Sequence, residues 1–282
     1  MKAIKLYEKL EKDFIVPKMS DEWAEEMGTV ADFLSDNFKK RSMGLVCDFT
    51  EEIERVYNAV FPSEKIMRKI LDDGIRNVML FVHHPSIWDI RRVPEVFQQM
   101  DRNLLEKFKE RKISIYNLHV PLDNWGEYST SVSLARILGI RPEKSFAPYF
   151  GGMVGIFGRT DLMKVEDLRK KFENVVGHQT GFYPYGSSEV RNNIVAVVAG
   201  GGMSESLEEI VQNDVNVLIT GISAKNDHSK NSHEFAEKHK INILGGTHYS
   251  TEKFACMALV EYFGKIGLPS EFIEDEPVME DI

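Results

Sequence analysis

Short apolar runs rich in β-formers alternate along this chain with amphipathic stretches, and that alternation most narrows the folds open to it. Strands are expected at 75–82, 113–118, 194–199, 215–220 and 241–244, with another opening at Gly151-Gly152. Helices are expected at 20–40, 62–73, 101–111, 128–138, 164–174, 232–240 and 252–265. Ser20 suits the first N-cap, with Asp21 and Glu22 in the first turn. Pro62 and Gly74 suit the two ends of the second helix. Strands alternating with helices imply an α/β fold with parallel sheets flanked by helices. Residues 141–148 read as a linker, 177–188 as a loop rich in turn formers and aromatics, and the tail EFIEDEPVMEDI as a surface segment. A boundary is therefore expected near 140–150, with the final strand and helix returning to the first part.

Composition removes several function classes. With 35 basic against 44 acidic residues the net charge is −9, which argues against a nucleic-acid coat or a membrane-surface binder. An anionic substrate stays open, because a bound metal reverses the sign locally. Two cysteines, Cys47 and Cys256, make neither a disulfide framework nor a thiolate zinc site, and Cys256 is expected to be buried and inert. MKAIKLYEKLEKDF is charged throughout, unlike a signal peptide, and no apolar run approaches a spanning helix. A cytoplasmic protein is expected, with no membrane partner.

The eight histidines are the most informative residues. His83-His84 follow one expected strand. His119 follows another, with Asp123 four residues on. His248 follows a third, with Glu252 four residues on. All three groups would sit at the carboxyl edge of a parallel sheet, where ligands bind in open α/β folds. Imidazole and carboxylate together suit zinc, iron, manganese, nickel or cobalt. Neighbouring side chains in an extended chain point apart, so His83 and His84 would serve two metals more easily than one. Two metals need a bridging carboxylate, for which Asp123 and Glu252 are the candidates. His119 is the candidate general acid or base, since imidazole titrates near neutral pH. Singly, each residue also has an ordinary reading: a loop histidine, a turn-capping Asp123, a helix-start Glu252. Their recurrence after three strands favours a metal site.

Other features are weaker. Gly200-Gly201-Gly202 lacks the Lys-Ser/Thr of a phosphate loop and reads as a tight strand-to-helix turn. Phe182-Tyr183-Pro184-Tyr185 reads as a packing segment rather than a nucleobase platform. Trp88 and Trp125 lie close in sequence to the histidine motifs and read equally as walls of the site or as core packing.

The strings FVHHPSIWD (81–89), LHVPLD (118–123) and GGTHYSTE (245–252) resemble the three signature segments of the Nif-three-like (NGG-one interacting factor three) family. Its members often carry the name GTP cyclohydrolase I type 2 homologue. VAVVAGGGMSESL (195–207) and DVNVLITG (214–221) resemble its middle region, and the likeness runs from about residue 40 to the end. The resemblance implies two related α/β lobes, one comprising 1–140 plus 245–282 and the other, 141–244, inserted into it. It implies two divalent metal ions per chain on His83, His84, Asp123, His248 and Glu252, with His119 beside them, and a toroidal homohexamer. It also implies a metal-dependent hydrolase acting on a nucleotide or phosphoester, the small anionic substrate, in the manner of a GTP cyclohydrolase. The alternative is a non-enzymatic metal-binding scaffold or regulator. The chain departs from the family after Thr220-Gly221, where ISAKNDHSKNSH carries His228 and His233, and near Gly44-Leu45, all that remains of a longer string.

Overall fold

The computed structural model describes residues 1–282 apart from Pro94 and His228, and of Glu205 the backbone only. The chain is mixed α/β, with helices flanking its sheets. It divides into two compact units. Unit 1 comprises Met1–Leu122 and Cys256–Glu276; unit 2 comprises Asp123–Ala255 and Pro277–Ile282.

Unit 1 holds a five-stranded sheet in the order 44–47, 113–117, 78–82, 55–59, 270–272. Its last four strands run parallel and Gly44–Cys47 runs antiparallel. Val78–Val82 is buried at every position, as a strand covered on both faces must be. On one face Val78, Leu80 and Val82 meet helices Glu64–Asp72 and Arg102–Glu110. Ser63 and Asp101 start these helices by accepting from Ile66 N and Leu104 N. Ile66, Met67, Ile70, Leu104, Leu105 and Phe108 are their buried stripes, worth roughly 1.5–3 kcal/mol per side chain. On the other face Phe81 packs against Phe263 of the last helix, and Tyr116 stacks on Tyr7 of the helix Ala3–Phe14.

Unit 2 holds a six-stranded sheet in the order 141–149, 152–159, 194–198, 217–220, 242–245, 181–183. Its three central strands give two parallel pairings, and the outer ones are antiparallel. Helices Thr130–Ile137 and Val165–Val176 cover one face. Met203–Gln212 and Lys230–His239 cover the other.

Four local expectations are revised. Arg141–Tyr149 is a strand, not a linker: Pro142 and Pro148 are tolerated because it lies at the sheet's edge. Gly181–Tyr183, inside the expected loop, is the opposite edge strand. The expected 20–40 helix is broken into Trp23–Glu26, a 3₁₀ turn at Gly28–Val30, and Asp36–Arg41. Ser35 ends continuity there, because its N–H goes to Val46 O and its hydroxyl to Leu45 O, away from a helical ladder. The acidic tail is not all surface: Ser270–Phe272 pairs with Arg55–Ala59, and Asp281 is buried. No described helix is long and apolar enough to cross a membrane.

Candidate metal centre

In unit 1, the carboxyl ends of three parallel strands deliver Val60-Phe61, His83-His84 and Leu118-His119 to one edge. The ladder runs slightly past the strands: His83 N donates to Ala59 O, His84 N to Val60 O, and Leu118 N to Val82 O. One ring nitrogen from each of His83, His84 and His119 lies within 4.8 Å of the others. The expectation that His83 and His84 diverge does not hold, since Val82 ends the strand and their rings sit 4.3 Å apart.

His83 is fully buried, and its Nδ1 lies 2.9 Å from Leu118 O. A carbonyl only accepts, so Nδ1 carries the proton and Nε2 holds the lone pair. This is the arrangement in which histidines ligate metals. Asn117 Nδ2 donates to His83 O at 2.5 Å and fixes the backbone at this point. His84 stacks on Phe61, with ring centres 4.9 Å apart. His119 Nδ1 is met by Trp23 Nε1 at 2.9 Å and Asp21 Oδ2 at 2.8 Å. Trp23 also lies edge-on to His84. Within unit 1, Trp23 is thus an indole beside the histidines, and Trp88 packs on Phe97.

In unit 2, strands 194–198, 217–220 and 242–245 end at glycines: Gly200, Gly221, and Gly245-Gly246. His248 opens the helix His248–Lys265, so this helix begins four residues earlier than expected. His248 therefore follows the last parallel strand of the second sheet, not the sheet that carries His83 and His119. Thr247 Oγ1 accepts from Ser250 N and caps the first turn. Four residues on a helix make one turn, so Glu252 Oε1 reaches His248 Nε2 at 3.1 Å. Both side chains are buried. A buried carboxylate is costly without a proton or a positive charge beside it, so this pair suits a divalent cation.

Glycine makes the room. A Cβ on Gly200 would lie 2.2 Å from Glu252 Oε1, and its φ of +72° is left-handed. Gly200 N donates to Thr251 Oγ1, and Gly200 O accepts from Gly221 N and Ile222 N. The triple glycine is thus a tight turn, as its sequence suggests, and also the wall that admits the Glu252 carboxylate. Asp281 Oδ2 accepts from His248 N at 2.9 Å, and Asp281 O accepts from Ser223 N and Ala224 N. Asp123 Oδ1 accepts from the Thr130 hydroxyl at 2.7 Å, within unit 2.

His233 is held within unit 2. His233 Nε2 donates to Ser223 O and its Nδ1 accepts from the Tyr185 hydroxyl, so both ring nitrogens are engaged. Burial holds His233 below the usual imidazole range. Its ring also lies 4.5 Å from that of Tyr183, so the aromatic segment packs within its own unit. His228 lies outside the described residues. Cys256 is buried, as expected, with Sγ near Ala59 O, and burial pushes the Cys47 thiol far up.

Asp21, Trp23 and Asp281 are absent from the sequence reading as site residues. No spacing rule links Asp21 to His119 or Asp281 to His248, and Asp281 sits in a tail that reads as solvated. Buried histidine, aspartate and glutamate side chains of this chain form groups able to hold a metal ion.

The profile of the Duf34/NIF3 (NGG1p interacting factor 3) family matches residues 29–276. A GTP cyclohydrolase 1 type 2 homolog of Pyrococcus horikoshii is 29% identical over 241 residues, 84% of this chain and 90% of that one. Its counterpart in Archaeoglobus fulgidus is 27% identical over 256 residues, covering 89% and 97%. The solved structure of reduced HcgD from Methanocaldococcus jannaschii superposes with a TM-score of 0.69 at 22% identity, covering 98% of each chain, which speaks for the fold.

Proposed function

This chain belongs to the Duf34/NIF3 family, and from that premise we propose that it is a metal-dependent hydrolase acting on a nucleotide or phosphoester. His83, His84, Asp123, His248 and Glu252 would hold two divalent ions. The observation that carries the reading is the donor chemistry on each unit. Unit 1 gathers three imidazoles, with His83 already presenting Nε2. Unit 2 buries a carboxylate against an imidazole in a space that only glycine leaves open. Mixed nitrogen and oxygen donors fit zinc, iron, manganese, nickel or cobalt. Bound metals would lower the pKa of water towards neutrality and polarise a scissile bond. The chain's own part is to orient the donors, to exclude bulk water through Trp23 and Phe61, and to supply His119 as proton acceptor or donor. The shared GTP cyclohydrolase name of the relatives suggests GTP as the first nucleotide to try. A homohexamer in the cytoplasm is the assembly and setting we propose for it.

A second reading, a metal-binding scaffold without turnover, draws support from burial. His83, His84 and Glu252 are each at most 3% exposed, as in a closed structural site. Elemental analysis of protein purified without added metal separates the readings, combined with assays on GTP and a generic phosphoester. About two metals per chain with turnover, both lost in His84→Ala and Glu252→Ala, would support the hydrolase. Metal without turnover would favour the scaffold. Absence of metal after reconstitution with zinc, manganese or ferrous iron would end both.

A further inference from the structure

Asp21 and Trp23 meet His119 at a single atom. Nδ1 lies 2.8 Å from Asp21 Oδ2 and 2.9 Å from Trp23 Nε1. An indole N–H only donates and an ionised carboxylate only accepts. Nδ1 can therefore serve one of them at a time: carrying the proton it donates to Asp21, and bare it accepts from Trp23. A charge-assisted hydrogen bond is roughly twice as strong as a neutral one, so the neutral ring keeps its proton on Nδ1. We propose that Asp21 is a positioning residue that locks His119 in the Nδ1–H tautomer, with the lone pair on Nε2. The Leu118 carbonyl fixes the same tautomer in His83. Unit 1 then presents Nε2 of His83 as a donor to a borderline cation such as zinc, and Nε2 of His119 as the lone pair able to take a proton.

The placement of Asp21 is specific. Its side chain is 5% exposed, and Oδ1 accepts from Glu22 N. The segment is pinned from three sides: Ala24 N donates to Ser42 Oγ, Gln99 Nε2 donates to Glu26 O, and Met27 is fully buried. Asp21 and Trp23 precede residues 29–276, the stretch that matches the family profile. The inference rests on the metal reading only for its purpose; the tautomer stands or falls without it.

The test uses full-length, metal-free protein labelled with ¹⁵N-histidine, whose long-range ¹H–¹⁵N spectra distinguish the two tautomers. His119→Gln and His83→Gln assign the signals. His119 is expected as Nδ1–H in the wild type. Asp21→Ala leaves Trp23 unopposed and should convert His119 to Nε2–H, while the His83 signal, the internal control for folding, stays as it is. Asp21→Asn, whose amide oxygen still accepts, should restore Nδ1–H in part. An Nε2–H tautomer in the wild type overturns the proposal, as does a tautomer indifferent to Asp21→Ala. Failure of wild-type protein to bind zinc, manganese or ferrous iron would sink the metal reading alone and leave the tautomer result in place.

Discussion

The two units bring different chemistry to their sheet edges. Unit 1 offers three imidazoles, which carry no charge when neutral and need no counter-ion. Unit 2 offers a buried carboxylate beside one imidazole, and a carboxylate out of water must be matched. The supporting contacts differ in the same way. Unit 1 holds its rings with aromatic faces and a carboxylate behind His119. Unit 2 holds its pair by leaving space, through Gly200, and by fixing the start of the helix, through Asp281. A site of neutral rings can be preformed without metal. A site built round a buried anion is the part that metal removal should strain.

That contrast can be broken by experiment. The largest effect is expected from Gly200→Val. It places side-chain atoms on Glu252 and forces a β-branched residue to positive φ, where the backbone alone costs roughly 1–2 kcal/mol. Urea denaturation of metal-free protein should show a loss of at least that size, and metal content should fall towards that of Glu252→Ala. A Gly200→Val protein of wild-type stability and metal content would remove the wall argument for unit 2.

Next comes Asp281→Ala. It leaves the buried His248 N–H without its acceptor, a cost of roughly 1–3 kcal/mol. Hydrogen exchange should rise at the start of the helix His248–Lys265 and stay level at Val78–Val82. Equal change at both would mean that the tail supports the whole fold rather than the position of His248.

Removing metal by chelation should have a smaller and asymmetric effect. Exchange should rise round His248 and Glu252, while the His83 Nδ1–H tautomer persists. Loss of that tautomer on chelation would show that unit 1 is not preformed.

The smallest expected effect is the pH response of His233. Burial keeps its neutral form in the fold. Its contribution is complete above the ordinary imidazole range and is lost as pH falls through its lowered value. Urea midpoints measured on the acid side should therefore drop less steeply in His233→Gln than in the wild type. An unchanged slope would mean that His233 contributes nothing to the acid response.

The alternation of apolar runs made the α/β class legible, and Val78–Val82, Ile113–Asn117 and Val217–Thr220 lie within the strands expected for them. A buried parallel strand must be apolar throughout, so its own residues announce it. Arg141–Tyr149 was illegible for the opposite reason: edge strands tolerate proline and polar side chains, and only pairing with Gly152–Arg159 makes it a strand. The one-turn spacing of His248 and Glu252 was readable as a motif, because helical geometry is local.

The sequence by itself therefore determined the class of fold, the strand-end histidines, the His248–Glu252 pair and the glycine turn. Each depends on residues within a few positions of one another. Tertiary structure alone decided which sheet carries His248, which indole stands beside His119, and which carboxylates, Asp21 and Asp281, back the two histidines. Those contacts join residues 98 and 33 positions apart. Closing such loops depends on the packing of everything between their ends, and no local pattern records it.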